Sequence, residues 1–420
     1  MKRVVECWEW RTTPSVFLTV AQRDALNELV PSLRISPTAH TRDHYDLTPG
    51  STVGIVRIGD LSVQIEPKIG PAKVIALSSL AFDHRAWKDP SANLASSVGL
   101  VEALTTALAT LTRQALRSGL LQGYRSTDDV LATVKGRIRF AAQVQQRQGL
   151  PLPVSVTHDD YTHDVLEHQL IRAAAVRLGQ MRVRSPRARQ DLTWLRLQLD
   201  GVADHPFSPT RVPEPHWSRI NERYRPAVGL ARLILAGMSL ESRAGIRDAM
   251  AFLIDMNTVF EDFVRVSLRD RLRLDSRTFP DGNHTPRLYL DRDRRWVPLK
   301  PDLSWWDRQR NACRFVGDCK YKRPDSSIPN ADVYQMHAYL TALNLPAGLM
   351  VYATTDRFLP PFSVVHGGPR IEIRQINLAD SLDSIAEQMD HLAETVRAMA
   401  GGILSGTPAM SEVSGARPRW

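Results

Sequence analysis

Three side chains in one short stretch have the types and spacing for metal-assisted chemistry: Asp302 in Pro301-Asp302, and Asp318 and Lys320 in Asp318-Cys319-Lys320. Residues 298–322 read as strand, polar turn and strand, the turn being Asp307-Arg308-Gln309-Arg310-Asn311. A hairpin centred near Arg310 sets Asp302 opposite Asp318 and Lys300 opposite Lys320. Side chains alternate along a strand, so Asp318 and Lys320 share one face while Cys319 and Tyr321 take the other. Two carboxylates facing each other repel unless a cation lies between them. Hard oxygen donors with few nitrogen or sulfur competitors suit Mg²⁺ or Mn²⁺, which keep waters and add phosphate oxygens. Lys320 beside such an ion could orient or help deprotonate an attacking water and stabilise charge in a phosphorane-like transition state. Singly, Asp-x-Lys usually marks a solvated strand and Pro-Asp an ordinary turn. Their combination, flanked by Leu303 and by Phe315-Val316, puts both carboxylates on elements with a packed face.

Other elements must hold that hairpin. Residues 246–274 carry a helical pattern long enough to include a break, and residues 331–343 and 381–398 read as helices around strands at 348–353 and 371–376. On the helix after the hairpin, Gln335 and Tyr339 stand four residues apart, hence on one face. Upstream, the first eighty residues read mainly as strands and turns, with a hairpin whose arms, 55–58 and 61–65, flank Gly59-Asp60. Helical spacing covers 100–121, 165–178, 188–199 and 224–238, a short strand 134–140, and a Pro-rich loop 203–215. The expected fold class is α/β, with a mixed β and α region over 1–240, a second domain over 241–400 and a flexible tail over 401–420.

Composition narrows the partner. The 420 residues are 43% hydrophobic and 24% charged, which excludes a disordered or fibrous chain. Lys and Arg number 54 against 45 Asp and Glu, a net charge of +9 that favours a polyanion, nucleic acid first. No apolar run is long enough for a membrane span, and Glu6, Glu9 and Arg11 break any signal-peptide core, so a cytoplasmic chain is expected. Cys7, Cys313 and Cys319 offer neither a disulfide framework nor a Cys-x-x-Cys zinc site and are expected reduced and buried.

Pro301-Asp302 followed after one hairpin by Asp318-Cys319-Lys320 resembles the PD-(D/E)XK nuclease core, whose elements run helix, three strands, helix, strand. Asn257-Thr258-Val259-Phe260-Glu261-Asp262-Phe263-Val264 ahead of that motif narrows the likeness to the McrC family, the nuclease subunit of McrBC-type modification-dependent restriction systems. So do Gly54-Ile55-Val56-Arg57-Ile58-Gly59-Asp60, Ile65-Glu66-Pro67-Lys68-Ile69 and Val134-Lys135-Gly136-Arg137-Ile138. The resemblance implies a carboxy-terminal restriction-endonuclease-like domain that cleaves DNA with Mg²⁺, or Mn²⁺ in its place. It makes Asp302, Asp318 and the Cys319 backbone carbonyl the metal ligands, places Lys320 near the attacking water, and lends Glu261 as an accessory acid. Gln335 and Tyr339 would position substrate. It further implies docking on a McrB-like AAA+ GTPase ring whose GTP hydrolysis the chain stimulates. The sequence holds no G-x-x-x-x-G-K-[ST], so the motor would be the partner's. A non-catalytic adaptor on such a ring and a standalone DNA repair nuclease are the alternatives.

Arg265, Arg269 and Arg273 follow Glu261 at four-residue steps, and Arg292, Arg294 and Arg295 crowd the segment before the hairpin. Each reads equally as a phosphate contact or a solvated face. The Arg182 to Arg189 cluster carries the same two readings and partner contact as a third. His158, His163 and His168 recur at five-residue steps, which on a helix would not converge on an ion, so they are assigned a surface or interdomain role. Trp305 and Trp306 fall on opposite strand faces and are expected in the core.

Overall fold

The computed structural model describes residues 3–401 apart from 40, 83–98, 148, 149, 151, 182, 244, 245, 283, 292, 311, 322–328, 355–361 and 364–367. It is mixed α/β with several sheets, in two units that divide between Val259 and Phe260. The boundary lies there, not near residue 240, because Met238–Arg243 and Ile246–Asp255 are strands of the amino-terminal sheet.

That sheet is built on the hairpin Thr52–Ile58 and Leu61–Glu66, which turns at Gly59 with φ +59°. Its alternating Val56, Ile58, Leu61, Val63 and Ile65 are buried, as is Val53. Arg3–Trp8 joins Leu61–Glu66 in parallel, and Ile246–Asp255 joins Thr52–Ile58 antiparallel. The helical reading of 246–274 thus holds only from Met256 to Arg271. The run Ala249-Met250-Ala251-Phe252-Leu253-Ile254 satisfies either period, and a partner strand two hundred residues away in sequence decides it.

The first eighty residues also hold more helix than expected. Thr19 and Gln22 form a capping box, Gln22 N–H donating to Thr19 Oγ1 at 3.2 Å and Thr19 N–H to Gln22 Oε1 at 3.1 Å, which starts the helix Val20–Leu29. Pro71–Phe82 is a second helix. It packs with Leu100–Leu116 and Arg225–Ala236, and Leu166–Gly179 and Pro186–Gln198 complete the layer. Leu100–Leu116 is buried almost all round, and its Thr105 and Thr112 hydroxyls are satisfied by the carbonyls of Val101 and Leu108 one turn back. A small sheet pairs Gly123–Leu131 and Arg137–Ile138 with Val154–Thr162, so the strand expected over 134–140 shrinks to two residues.

The three histidines lie on a strand, in a turn and on a helix. His158 and His168 are buried, which corrects the expectation of a surface place for them. His168 Nδ1–H donates to the His163 carbonyl at 2.7 Å, and its ring meets Tyr224 edge-on at 5.1 Å. Burial depresses the His168 pKa against the opposing bond to His163. A depressed folded pKa gives stability that is present above the unfolded value and lost as pH falls below it. Urea midpoints of the chain should therefore drop between pH 7.5 and 5, and His168→Phe should flatten the fall.

In the second unit Leu303–Asp307 and Ala312–Lys320 pair antiparallel, then Ala347–Thr354 and Arg370–Asn377 continue the sheet in parallel. The helix Asn330–Leu343 covers one face, where Val316, Met336, Tyr339, Leu340, Met350, Tyr352, Ile371 and Ile373 form a core. The helix Leu382–Ala400 covers the other: Arg374, which alternates with Ile373, donates to Thr395 Oγ1 at 3.5 Å. Parallel strands covered on both faces account for the near-continuous apolar run Leu349-Met350-Val351-Tyr352-Ala353. Trp305 and Trp306 are only half-buried, because a bulge between them breaks the alternation near the turn. Cys7 and Cys319 are buried, Cys313 half-buried, and all three are free thiols. Among the described residues no helix is long and apolar enough to cross a membrane. Arg182 and Arg292 lie outside the described residues, as does the tail beyond Gly401.

Candidate active site

The register near the site is the one expected for a turn near Arg310: Leu303 faces Gly317, Ser304 faces Val316 and Trp305 faces Phe315. One step further the strand yields to the side chain of Asp302, whose Oδ2 accepts the Cys319 N–H at 2.8 Å. The carboxylate thus substitutes for a backbone carbonyl in the ladder and is fixed in place. In an extended strand a residue's N–H and C=O leave on the same edge, so the Cys319 carbonyl also faces the Asp302 side.

Asp318 shares a face with Val316 and Lys320 beneath the helix Asn330–Leu343 and is buried. Its Oδ2 pairs with Lys320 Nζ, while its buried Oδ1 finds no hydrogen-bond donor among the described residues. Burial first, and then the Asp302 charge, push the Asp318 carboxyl up to about 7. Burial and the charge of Glu261 also raise Asp302, against the Cys319 N–H. The two carboxyls act on each other directly, and a shared proton or a cation between such groups relieves their like charge. Among the described residues no three His, Cys, Asp or Glu side chains are grouped as a ready cage. The donor set is instead a pair of carboxylates plus a backbone carbonyl, the sparse kind that Mg²⁺ completes with water and phosphate.

Glu261, on the helix Met256–Arg271, is the third charge felt at the site: it raises the pKa values of Asp302 and Cys319 and is itself raised by burial first and then by Asp262. Lys320 is held from two sides. Its Nζ donates to Gln335 Oε1 at 3.0 Å; Gln335 Nε2 donates to Tyr339 Oη at 2.8 Å; and Tyr339 Oη donates to the Lys300 carbonyl at 2.9 Å. Gln335 and Tyr339 do share a helix face, and there they engage Lys320 and the Lys300 carbonyl. The carboxylates beside Lys320 outweigh burial and raise its pKa, keeping it an ammonium.

Two partners escaped sequence reasoning. Asp332 is buried and accepts from Tyr352 Oη at 3.0 Å, adding negative potential under Lys320; its place one turn before Gln335 was the available signal. Asp262 takes the Arg265 guanidinium, which also lies 3.6 Å from Glu261. Arg265, with its side chain 11% exposed, is therefore an internal counter-ion of the acidic cluster, correcting its assignment as a phosphate contact. Arg269 is half-buried, whereas Arg273, Arg294 and Arg295 are exposed.

A family model described as "McrBC 5-methylcytosine restriction system component" matches residues 47–353. The chain belongs to the McrBC family. Both carboxylates, Glu261, Lys320, Gln335 and Tyr339 lie inside the matched span of this McrBC-family chain. The fold is similar to a chain in the refined half-complex from a tetradecameric assembly of Thermococcus gammatolerans McrB AAA+ hexamers with bound McrC. That likeness has a TM-score of 0.55 at 16% identity and covers 94% of this chain and 100% of the other. A chain of the cryo-EM structure of the Thermococcus gammatolerans McrBC complex gives a TM-score of 0.40 at 19% identity, over 64% of this chain and 88% of that one. No curated protein matches.

Proposed function

We propose that this McrBC component is the DNA endonuclease subunit of a modification-dependent restriction complex, and that its second unit is a PD-(D/E)XK nuclease domain. The observation that carries the reading is the close pair of half-buried Asp302 and buried Asp318, with an Asp318 Oδ1 that finds no donor among the described residues and a lysine fixed beside it. Asp302, Asp318 and the Cys319 carbonyl would hold Mg²⁺ or Mn²⁺, which supplies Lewis acidity and a water of lowered pKa. Lys320 places a fixed positive charge where a phosphorane-like transition state gathers negative charge, and the Gln335–Tyr339 relay keeps the ammonium there without reorganisation. Glu261 enriches the negative potential that attracts the cation. DNA as substrate is supported by the net charge of +9 and by Arg273, Arg294 and Arg295 at the surface. A partner AAA+ GTPase ring, stimulated by this chain, is supported by the fold shared with a chain of an assembly of McrB AAA+ hexamers with bound McrC.

The test is plasmid cleavage by the chain with its cognate AAA+ protein, GTP and Mg²⁺, on methylated and unmodified DNA. Cutting that needs the metal and the nucleotide supports the reading; GTP turnover unchanged on adding the chain removes the ring partnership. Within the site, Tyr339→Phe deletes the hydroxyl that joins Gln335 to the Lys300 carbonyl. Loss of two partly buried hydrogen bonds should lower stability by about 1–2 kcal/mol in urea unfolding. Cutting should slow by roughly ten-fold, with metal affinity unchanged, because only the ammonium is loosened.

A further inference from the structure

The segment that feeds Asp302 into the site carries a feature the chemistry above does not use. Leu288–Tyr289 and Pro298–Leu299 form a two-stranded ribbon, and Leu290 N–H donates to the Val297 carbonyl at 3.0 Å. At its tip the Asp291 carboxylate accepts three backbone N–H groups, those of Arg294 at 3.1 Å, Trp296 at 3.1 Å and Val297 at 2.9 Å. The tip is therefore a built turn. On it Trp296 is 71% exposed, and the Arg294 guanidinium lies over its ring at 4.7 Å. Arg295 adopts φ +55°, a left-handed conformation costly for a side chain of this size, and sits over Tyr289 at 5.9 Å.

An indole left 71% exposed gains little for folding beyond its contact with Arg294, since apolar surface of that size is stabilising mainly when covered. A flat aromatic face with a guanidinium beside it matches a nucleobase and its neighbouring phosphate. The other carboxylate of the tip, Asp293, is outnumbered by exposed Arg287, Arg294 and Arg295, because Asp291 is spent on backbone. Trp296 precedes Asp302 by six residues, so their Cα atoms lie at most about 20 Å apart, the length of roughly six base pairs.

We propose that Trp296, with Arg294 beside it, is a base-stacking wedge that engages DNA within about six base pairs of the scissile phosphate, an inference resting on the nuclease reading of Asp302 and Asp318. Arg294 takes a flanking phosphate, and the Asp291 turn keeps the pair in place before DNA arrives.

The experiment is fluorescence anisotropy of a labelled DNA duplex titrated with the full chain, Ca²⁺ replacing Mg²⁺ so that the duplex stays intact. Trp296→Ala should weaken binding about ten-fold with an unchanged salt slope, and Trp296→Phe should keep most of the affinity. Arg294→Ala should reduce the salt slope by about one phosphate contact. An unchanged melting temperature for each variant separates contact from folding. Wild-type affinity in Trp296→Ala, or no duplex binding by the wild-type chain, overturns the wedge. Plasmid cutting by Asp318→Asn judges the nuclease reading separately, since the anisotropy does not depend on catalysis.

Discussion

Asp318→Asn is expected to abolish DNA cutting, by about a thousand-fold or more, while the chain becomes more stable at neutral pH in the absence of divalent metal. The loss follows from removing one of two carboxylates that would hold the ion, whose contribution is several kcal/mol of transition-state stabilisation. The gain in stability follows from the folded pKa of Asp318, pushed up to about 7 by burial and by Asp302. An acid whose folded pKa lies above its unfolded value binds its proton more tightly when folded. Stability therefore falls as pH rises from about 4 to about 7 and stays low above that. Asparagine has no such cost, so wild type and variant should diverge across this window. The variant should melt roughly 5 °C or more higher at pH 8, as a few kcal/mol would give in a unit of this size. Added Mg²⁺ should raise the wild-type melting temperature and leave the variant's nearly unchanged. A variant that still cuts plasmid at the wild-type rate would sink the site; one that melts lower than wild type at pH 8 would show that Asp318 is a structural partner of Lys320 and not a strained ligand.

The part of this site that was legible is the part fixed by local pairing. A turn near Arg310 and the two-residue period of a strand are enough to bring Asp302 against Asp318, and the bulge between Trp305 and Trp306 shifts only the turn side of the hairpin. Gln335 and Tyr339 were legible as a shared helix face, but what that face meets depends on the crossing of the helix over the sheet, so their attachment to Lys320 was not. Arg265 shows the same limit from the opposite side: a four-residue step names a face without saying that Asp262 and Glu261 on that face will claim the guanidinium. The strand Ile246–Asp255 is the larger miss, because an unbroken apolar run satisfies helix and strand alike and only its pairing with Thr52–Ile58 chooses. Thr19 and Gln22 did carry a helix start in their own residue types, a capping pair that outweighed the β-branched residues around it.

The same strand pairing sets a large stability effect. Gly54 lies in Thr52–Ile58 opposite Leu253, with φ +138°, and a Cβ added there would fall far inside contact distance of the Phe252 carbonyl oxygen. Both atoms of that collision belong to paired backbone in the middle of the sheet, so neither can step aside without opening the ladder that joins the hairpin to Ile246–Asp255. Gly54→Ala should therefore cost more than about 4 kcal/mol, at the far end of single-residue effects, and remove the cooperative unfolding transition of the amino-terminal unit. Gly59, at the tip of the same hairpin, supplies the control. It too has a positive φ, +59°, but nothing lies within 4 Å of the position a Cβ would take. Gly59→Ala should cost only about 1–2 kcal/mol, the penalty of a left-handed alanine without a clash. Urea denaturation followed by far-ultraviolet circular dichroism separates the two: equal midpoints for both variants would mean that the two strands do not approach as closely as their pairing requires, and a folded Gly54→Ala chain would move Ile246–Asp255 out of the amino-terminal sheet.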